Sequence, residues 1–154
     1  MYVEKLLEAR GYEISDMKQL SGTEYHIPGQ VYIVDCRSTR INATIINEYK
    51  EKMIEKAAIL IYLQATHEAL KKSQDPIRFD HTYDYNVIEL FNAMYLMFDF
   101  SAQIPQITRN TTITEKRGLP KITTTDPSIK YYGFRKGDCV SVDDQWHKMI
   151  YFVD

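Results

Sequence analysis

The hydrophobic positions change period several times along the chain. Val3, Leu6 and Leu7 fall at helical spacing, and Arg10-Gly11 marks a helix end. Turn residues follow at Ser21-Gly22-Thr23 and Pro28-Gly29, and Val31-Tyr32-Ile33-Val34 then predicts a strand. Ile41, Ile45, Tyr49 and Met53 recur every four residues, which predicts a helix over 41–56. Its other face is charged, with Glu48 and Lys52 at the spacing that stabilises a helix. Residues 57–63 are continuously apolar, as in a buried strand, and Thr66 is placed to cap a short helix ending at Lys72. Strand, helix and strand at these lengths predict a βαβ unit.

The composition changes over 73–84, where Asp75-Pro76, several charges and His81 replace the apolar periodicity. Beyond it, 86–91 and 95–100 read as strands broken at Asn92-Ala93. Ile104-Pro105 and Leu119-Pro120 read as extended X-Pro segments. Asp126-Pro127 combines an N-cap acid with proline at the first helical position, and Gly133 sits where a left-handed cap ends that helix. After the turn 135–138, Val140-Ser141-Val142 and residues 149–153 predict a hairpin around Asp143-Asp144-Gln145. The expected fold class is α+β or α/β. A small βαβ-containing domain spans 1–76, a linker 77–84, and a mainly β domain with one short helix 85–154.

Composition narrows the chemistry. With 154 residues, 44% of them hydrophobic, the chain suits one domain or two small ones. Its net charge of −2 lacks the basic excess of a free-standing DNA-binding domain, so any DNA contact is local or assisted by neighbours. Twelve tyrosines suit surfaces that meet a partner. Cys36 and Cys139 lie far apart, and His26, His67, His81 and His147 have no ligand spacing, which argues against zinc or a disulfide scaffold. The charged N-terminal stretch reads as no signal peptide, and the longest apolar run is too short to span a bilayer. An intracellular protein with no cofactor, metal or membrane partner is expected. Such a protein does not use the glycosylation patterns at Asn42 and Asn110.

The most specific stretch runs from Leu119 to Val140: LPKITTTDPSIKYYGFRKGDCV. Leu119, Pro120, Lys121, Ile122, Asp126, Pro127, Tyr131, Gly133, Gly137 and Val140 occur without a gap at the spacing of a polymerase subunit family. The chain resembles the fifth-largest subunit common to the eukaryotic nuclear RNA polymerases, whose C-terminal domain matches a small subunit of the archaeal RNA polymerase. Weaker likenesses lie upstream. Residues 3–12 resemble the family's first helix, which ends in Arg-Gly-Tyr. Residues 88–105 resemble the opening strands of the C-terminal domain. Thr66 to Lys71 resembles the family's Thr-Pro-Ser-Ala-x-Lys, with His67 and Glu68 in place of Pro and Ser.

The resemblance implies a non-catalytic subunit. Its N-terminal jaw domain would face downstream double-stranded DNA, and its C-terminal assembly domain would pack on the largest subunit beside neighbouring small subunits. Lys71 and Lys72 would be DNA-proximal. Lys130, Tyr132, Arg135 and Lys136 would be the exposed subunit contacts. Leu119, Pro120, Ile122, Asp126, Pro127, Tyr131, Gly133 and Gly137 would build the fold. The chain is shorter than the usual eukaryotic subunit, the helix before the motif is reduced to about 114–118, and Phe152 stands where an Arg is usual. Such trimming suits a large DNA virus. The implied location is the nucleus, or the virion and host cytoplasm if the protein is virus-encoded.

Two other classes compete with this reading. A metal-dependent restriction-type nuclease would need Asp35 and Glu48 as carboxylate ligands, with Lys50 near the attacking water. Glu48 and Lys50 fall in the predicted helix, where they point to different faces, so a charged helix face explains them. The other class is a free-standing interaction adaptor.

Overall fold

The computed structural model describes residues 1–53, 57–74, 77–79, 82–84 and 88–154. In chain order the elements are α1 (Val3–Ala9), β1 (Lys18–Gln19), β2 (Glu24–Ile27), β3 (Val31–Asp35), α2 (Ala43–Lys52), β4 (Ala58–Tyr62), α3 (His67–Ser73), β5 (Ile77–Phe79), β6 (Thr82–Asp84), β7 (Ile88–Asn92), β8 (Gln106–Arg109), β9 (Lys121–Ile122), α4 (Pro127–Tyr132), β10 (Cys139–Asp143) and β11 (Lys148–Val153). Short 3₁₀ turns occupy Ile14–Asp16, Ala93–Leu96 and Phe100–Ala102. The protein is thus mixed α/β, with two mixed sheets and four α-helices among the described residues. It forms two compact units, 12–97 and 1–11 with 98–154.

In the first unit the sheet order is β1-β2-β3-β4-β7. Pro28-Gly29 closes the β2–β3 hairpin, with Gly29 at φ 71° and the Gln30 N–H donating to Ile27 O at 3.0 Å. Across that hairpin the His26 and Tyr32 rings stack at 4.2 Å. The β3-α2-β4 segment is the expected βαβ unit, since β3 and β4 pair in parallel. Helix α2 starts later than its periodicity suggests. Ile41 is held out of it by a bridge to Ala65, with the Ile41 N–H bonded to Gln64 O and the Thr66 N–H to Ile41 O, each at 2.9 Å. Asn42 instead caps the helix by accepting the Ile45 N–H at 3.0 Å. The predicted last turn of this helix, 54–56, lies outside the described residues.

The second half of this unit differs from the sequence reading. β7 pairs in parallel with β4 from Ala58↔Ile88 to Tyr62↔Asn92, so β4-α3-β7 is a second βαβ unit. The strand assigned from sequence to the C-terminal domain therefore completes the first sheet. The division between units falls between Met97 and Phe98, not over 77–84. Within that expected linker, β5 and β6 pair antiparallel, while Asp75-Pro76, His81 and the expected strand start at 86–87 lie outside the described residues. The expected strand over 95–100 is absent. Asn92 accepts the Met94 N–H at 2.9 Å and turns the chain into 3₁₀ geometry. Polar linker composition misled because a short hairpin and a loop look alike in sequence.

One core of this unit gathers Val34, Ile41, Ile46, Met53, Leu60, Ala69 and Ile88, with Tyr49 packed against it. Cys36 belongs to the same core. Burial pushes its thiol up to about 11, against the partial relief of a hydrogen bond with Tyr49. Burial likewise raises the Tyr49 hydroxyl to about 12.

The other unit holds the sheet β8-β10-β11-β9. β10 pairs antiparallel with β8 and β11, and β9 joins the outer side of β11 in parallel. The terminal hairpin is as the sequence predicts. Ile107, Ile129, Val140 and Val153 form its core. No helix spans the reduced segment before the motif. Residues 117–118 form a turn, with Gly118 at φ 83° and the Leu119 N–H donating to Lys116 O at 3.3 Å.

The Cys36 site gives a pH prediction. The unfolded thiol ionises near its ordinary 9.0, while the folded one stays neutral to about 11. Unfolding therefore releases a proton within that window. The stability held below it declines as pH climbs through it. Cys36→Ala should flatten this alkaline decline, measured as urea midpoints across the window. Equal slopes for both proteins would contradict it.

Candidate functional site

The motif 119–140 occupies β9, α4 and the start of β10, and its residues have separate structural tasks. Leu119 and Pro120 lead into β9, and Pro120 O accepts the Phe152 N–H at 2.9 Å. Ile122 pairs with Val153. Asp126 caps α4 by accepting the Ser128 and Ile129 N–H groups at 2.8 and 3.4 Å, with Pro127 in the first turn. Gly133 ends the helix at φ 73°, its N–H donating to Lys130 O and that of Phe134 to Ile129 O, both at 3.1 Å. Gly137, at φ 98°, donates to Val153 O at 2.8 Å. Tyr131 is 1% exposed. Its ring meets Phe100 at 5.4 Å, and burial raises its hydroxyl above the usual range.

An N-terminal residue completes this cap. Arg10, the C-cap of α1, donates from Nε to Tyr131 O at 2.9 Å and from Nη2 to Lys130 O at 2.6 Å. A cation thereby meets the last carbonyls of α4, where the helix dipole is negative. Gly133 also lies against it, because a Cβ there would come within 3.2 Å of Arg10 Nε. The contact spans 121 positions, so reading Arg10 from the sequence only as a helix end misses its role. Lys5 adds an ion pair with Asp99, whose carboxyl is lowered chiefly by Lys5 and then by Ser101.

The residues expected to meet a partner are not equally available. Lys130, Arg135 and Lys136 are exposed. Lys136 lies 3.0 Å from Asp154, which also holds Lys121 at 2.8 Å. Tyr132 was expected to be exposed, but it is half-buried. It packs on the small core, its hydroxyl donates to Pro105 O at 3.3 Å, and its ring lies 6.1 Å from Phe134. Two exposed apolar residues were not singled out from sequence: Trp146, 83% exposed in the β10–β11 connection, and Met149, 47% exposed. A lone tryptophan beside polar turn residues was the available signal.

In unit 12–97, Thr66 caps α3 by accepting the Ala69 N–H at 3.1 Å. Lys71 and Lys72 lie in its last turn, Lys71 exposed and Lys72 half-buried. Lys50 from the last turn of α2 donates to Lys72 O at 2.6 Å, so both helices bring lysines to one place. Glu68 is exposed in the first turn of α3. The nuclease-like residues have separate engagements. Asp35 accepts from Arg37 Nε and Nη2 at 2.8 and 2.7 Å, which lowers its carboxyl, and Lys50 is held at α3. Among the described residues no three His, Cys, Asp or Glu groups are placed to hold a metal ion, and no helix is long and apolar enough to cross a membrane.

No protein-family model matches the chain, and no curated protein matches it significantly.

The Arg10 cap makes a coupled prediction. Arg10→Ala should cost about 1–2 kcal/mol, the worth of charged hydrogen bonds at a helix C-terminus. Gly133→Val should cost at least as much, because left-handed backbone alone disfavours a side chain by roughly 1–2 kcal/mol. The double mutant should lose less than the sum, since removing Arg10 also removes the steric conflict. Thermal unfolding of the four proteins checks this, and strict additivity would contradict the contact.

Proposed function

We propose that this chain is a non-catalytic subunit of a multisubunit DNA-directed RNA polymerase, resembling the fifth-largest subunit of the eukaryotic-type enzymes. In this reading 1–11 with 98–154 is the assembly module that docks on the largest subunit beside neighbouring small subunits. Unit 12–97 is the jaw near downstream double-stranded DNA. The observation that carries the reading is the ungapped motif from Leu119 to Val140. The structure gives each of its punctuating residues a definite backbone task, as a motif that encodes a module requires. The Arg-Gly-Tyr likeness near the N-terminus adds weight, because its arginine caps the motif helix. The separate engagements of Asp35 and Lys50 favour this reading over a nuclease.

A tagged chain produced with the large polymerase subunits of its own source should recover them in stoichiometric amount. Failure of the intact chain to recover them would overturn the proposal. Purified alone, the chain should leave duplex DNA uncut with Mg²⁺. Cleavage that Asp35→Ala abolishes would install the nuclease reading instead.

The DNA role has its own test. A net charge of −2 neutralises few phosphates, so the isolated chain should bind duplex DNA weakly. In a reconstituted elongation complex, Lys71→Glu with Lys72→Glu should lower DNA affinity most at low salt and flatten its decline as salt rises. Unchanged affinity would remove both lysines from the DNA-proximal site.

A further inference from the structure

The outer edge of β11 is only partly used. Among the described residues, β9 pairs with it at Phe152 and Val153 alone. The Phe152 N–H donates to Pro120 O at 2.9 Å and the Asp154 N–H to Ile122 O at 3.0 Å, so these residues turn their backbone groups toward β9. Strand alternation then turns the N–H and C=O of Ile150 and Lys148 to the same side, beyond the reach of β9. The chain ahead of β9 does not fill this place. It turns at Gly118 (φ 83°), and Lys116 reaches instead to Gly137 O and over the Phe152 ring.

The surroundings of this gap suit a partner. Trp146 stands at the tip of the same hairpin. Asp144 fixes that tip by accepting the Trp146 and His147 N–H groups at 2.8 and 2.6 Å. With Met149, Trp146 offers a large apolar surface of the residue types enriched in protein interfaces. Arg117, just ahead of β9, and Lys148, at the start of β11, are exposed and form no ion pair among the described residues. These two cations, one ahead of β9 and one at the start of β11, favour an acidic partner segment. The gap is also short and bounded by β9, which suits one extended segment better than the sheet edge of a second copy.

We infer that the β11 edge from Lys148 to Tyr151 receives an extended, acidic segment of a partner polypeptide as an added strand, anchored by Trp146 and Met149. Backbone hydrogen bonds at Lys148 and Ile150 hold it, as in other strand-addition interfaces. The inference rests on the proposed polymerase assembly for the partner's identity, which is then the largest subunit.

The test is hydrogen exchange on the full chain, free and in complex with the co-produced large polymerase subunits. Amides over 147–151 should exchange at least about tenfold more slowly in the complex, the effect of about 1.4 kcal/mol of added protection. Ile150→Pro removes an outward N–H while sparing the bonds to β10, and should lower recovery of the large subunits about tenfold. Arg117→Glu with Lys148→Glu should also lower it, without touching the backbone. A complex that forms with no protection over 147–151 would overturn the strand addition and leave the assembly role standing. A dimer of the free chain protected over 147–151 would overturn the choice of partner. Absence of any complex with the unaltered chain would overturn the assembly role and, with it, this docking.

Discussion

The unit that carries the motif depends on the C-terminal end of α4. Six residues make a helix too short to be stable alone, so both its ends need outside partners. Asp126 satisfies the first turn from within the motif. At the other end Gly133 turns the chain left-handed, and Arg10 binds the Lys130 and Tyr131 carbonyls of the last turn from the far end of the sequence. Gly133 therefore answers two demands at once: a positive φ and room for a guanidinium. Once this end is fixed, Ile129 and Tyr131 are held in the interior, and the segment 134–138 is delivered to β10. The N-terminal helix is a structural part of the module, although the rest of the neighbouring unit separates them in sequence.

The same economy runs through unit 12–97. Two successive βαβ units place α2 and α3 against one core, and their last turns gather Lys50, Lys71 and Lys72. The lysine on α2 binds a main-chain carbonyl of α3, which ties the basic surface to the packing of the two helices. Local positive charge can therefore be built in a chain whose net charge is −2.

Much of this was legible in the sequence, and the parts that were not share a cause. Strong local signals held: the Asp126-Pro127 start, the Gly133 stop, the Thr66 cap and the terminal hairpin each rest on neighbours within a few residues. Contacts set by distant partners did not show. Arg10 gave no sign of reaching α4, and 88–92 gave no sign of pairing with β4. Ile41 fits the helical period perfectly well, yet its backbone is claimed by 64–66. The exposure expected of Lys130, Tyr132, Arg135 and Lys136 holds for all but Tyr132, for a similar reason. Lys130, Arg135 and Lys136 are exposed as polarity suggests, but Tyr132 could face either way and is drawn to the small core. Trp146, about which its turn neighbours gave no burial signal, is the most exposed large apolar residue among the described residues.

The proposed assembly module is the compact unit of 1–11 with 98–154, joined through Arg10. A fragment of 98–154 alone can be compared with one in which 1–11 is joined to it by a flexible glycine–serine linker. Cooperative thermal unfolding and recovery of the largest polymerase subunit are the readouts. The linked fragment should unfold cooperatively and retain the subunit, whereas 98–154 alone should do neither. A fragment of 98–154 that folds and binds as well without residues 1–11 would contradict it.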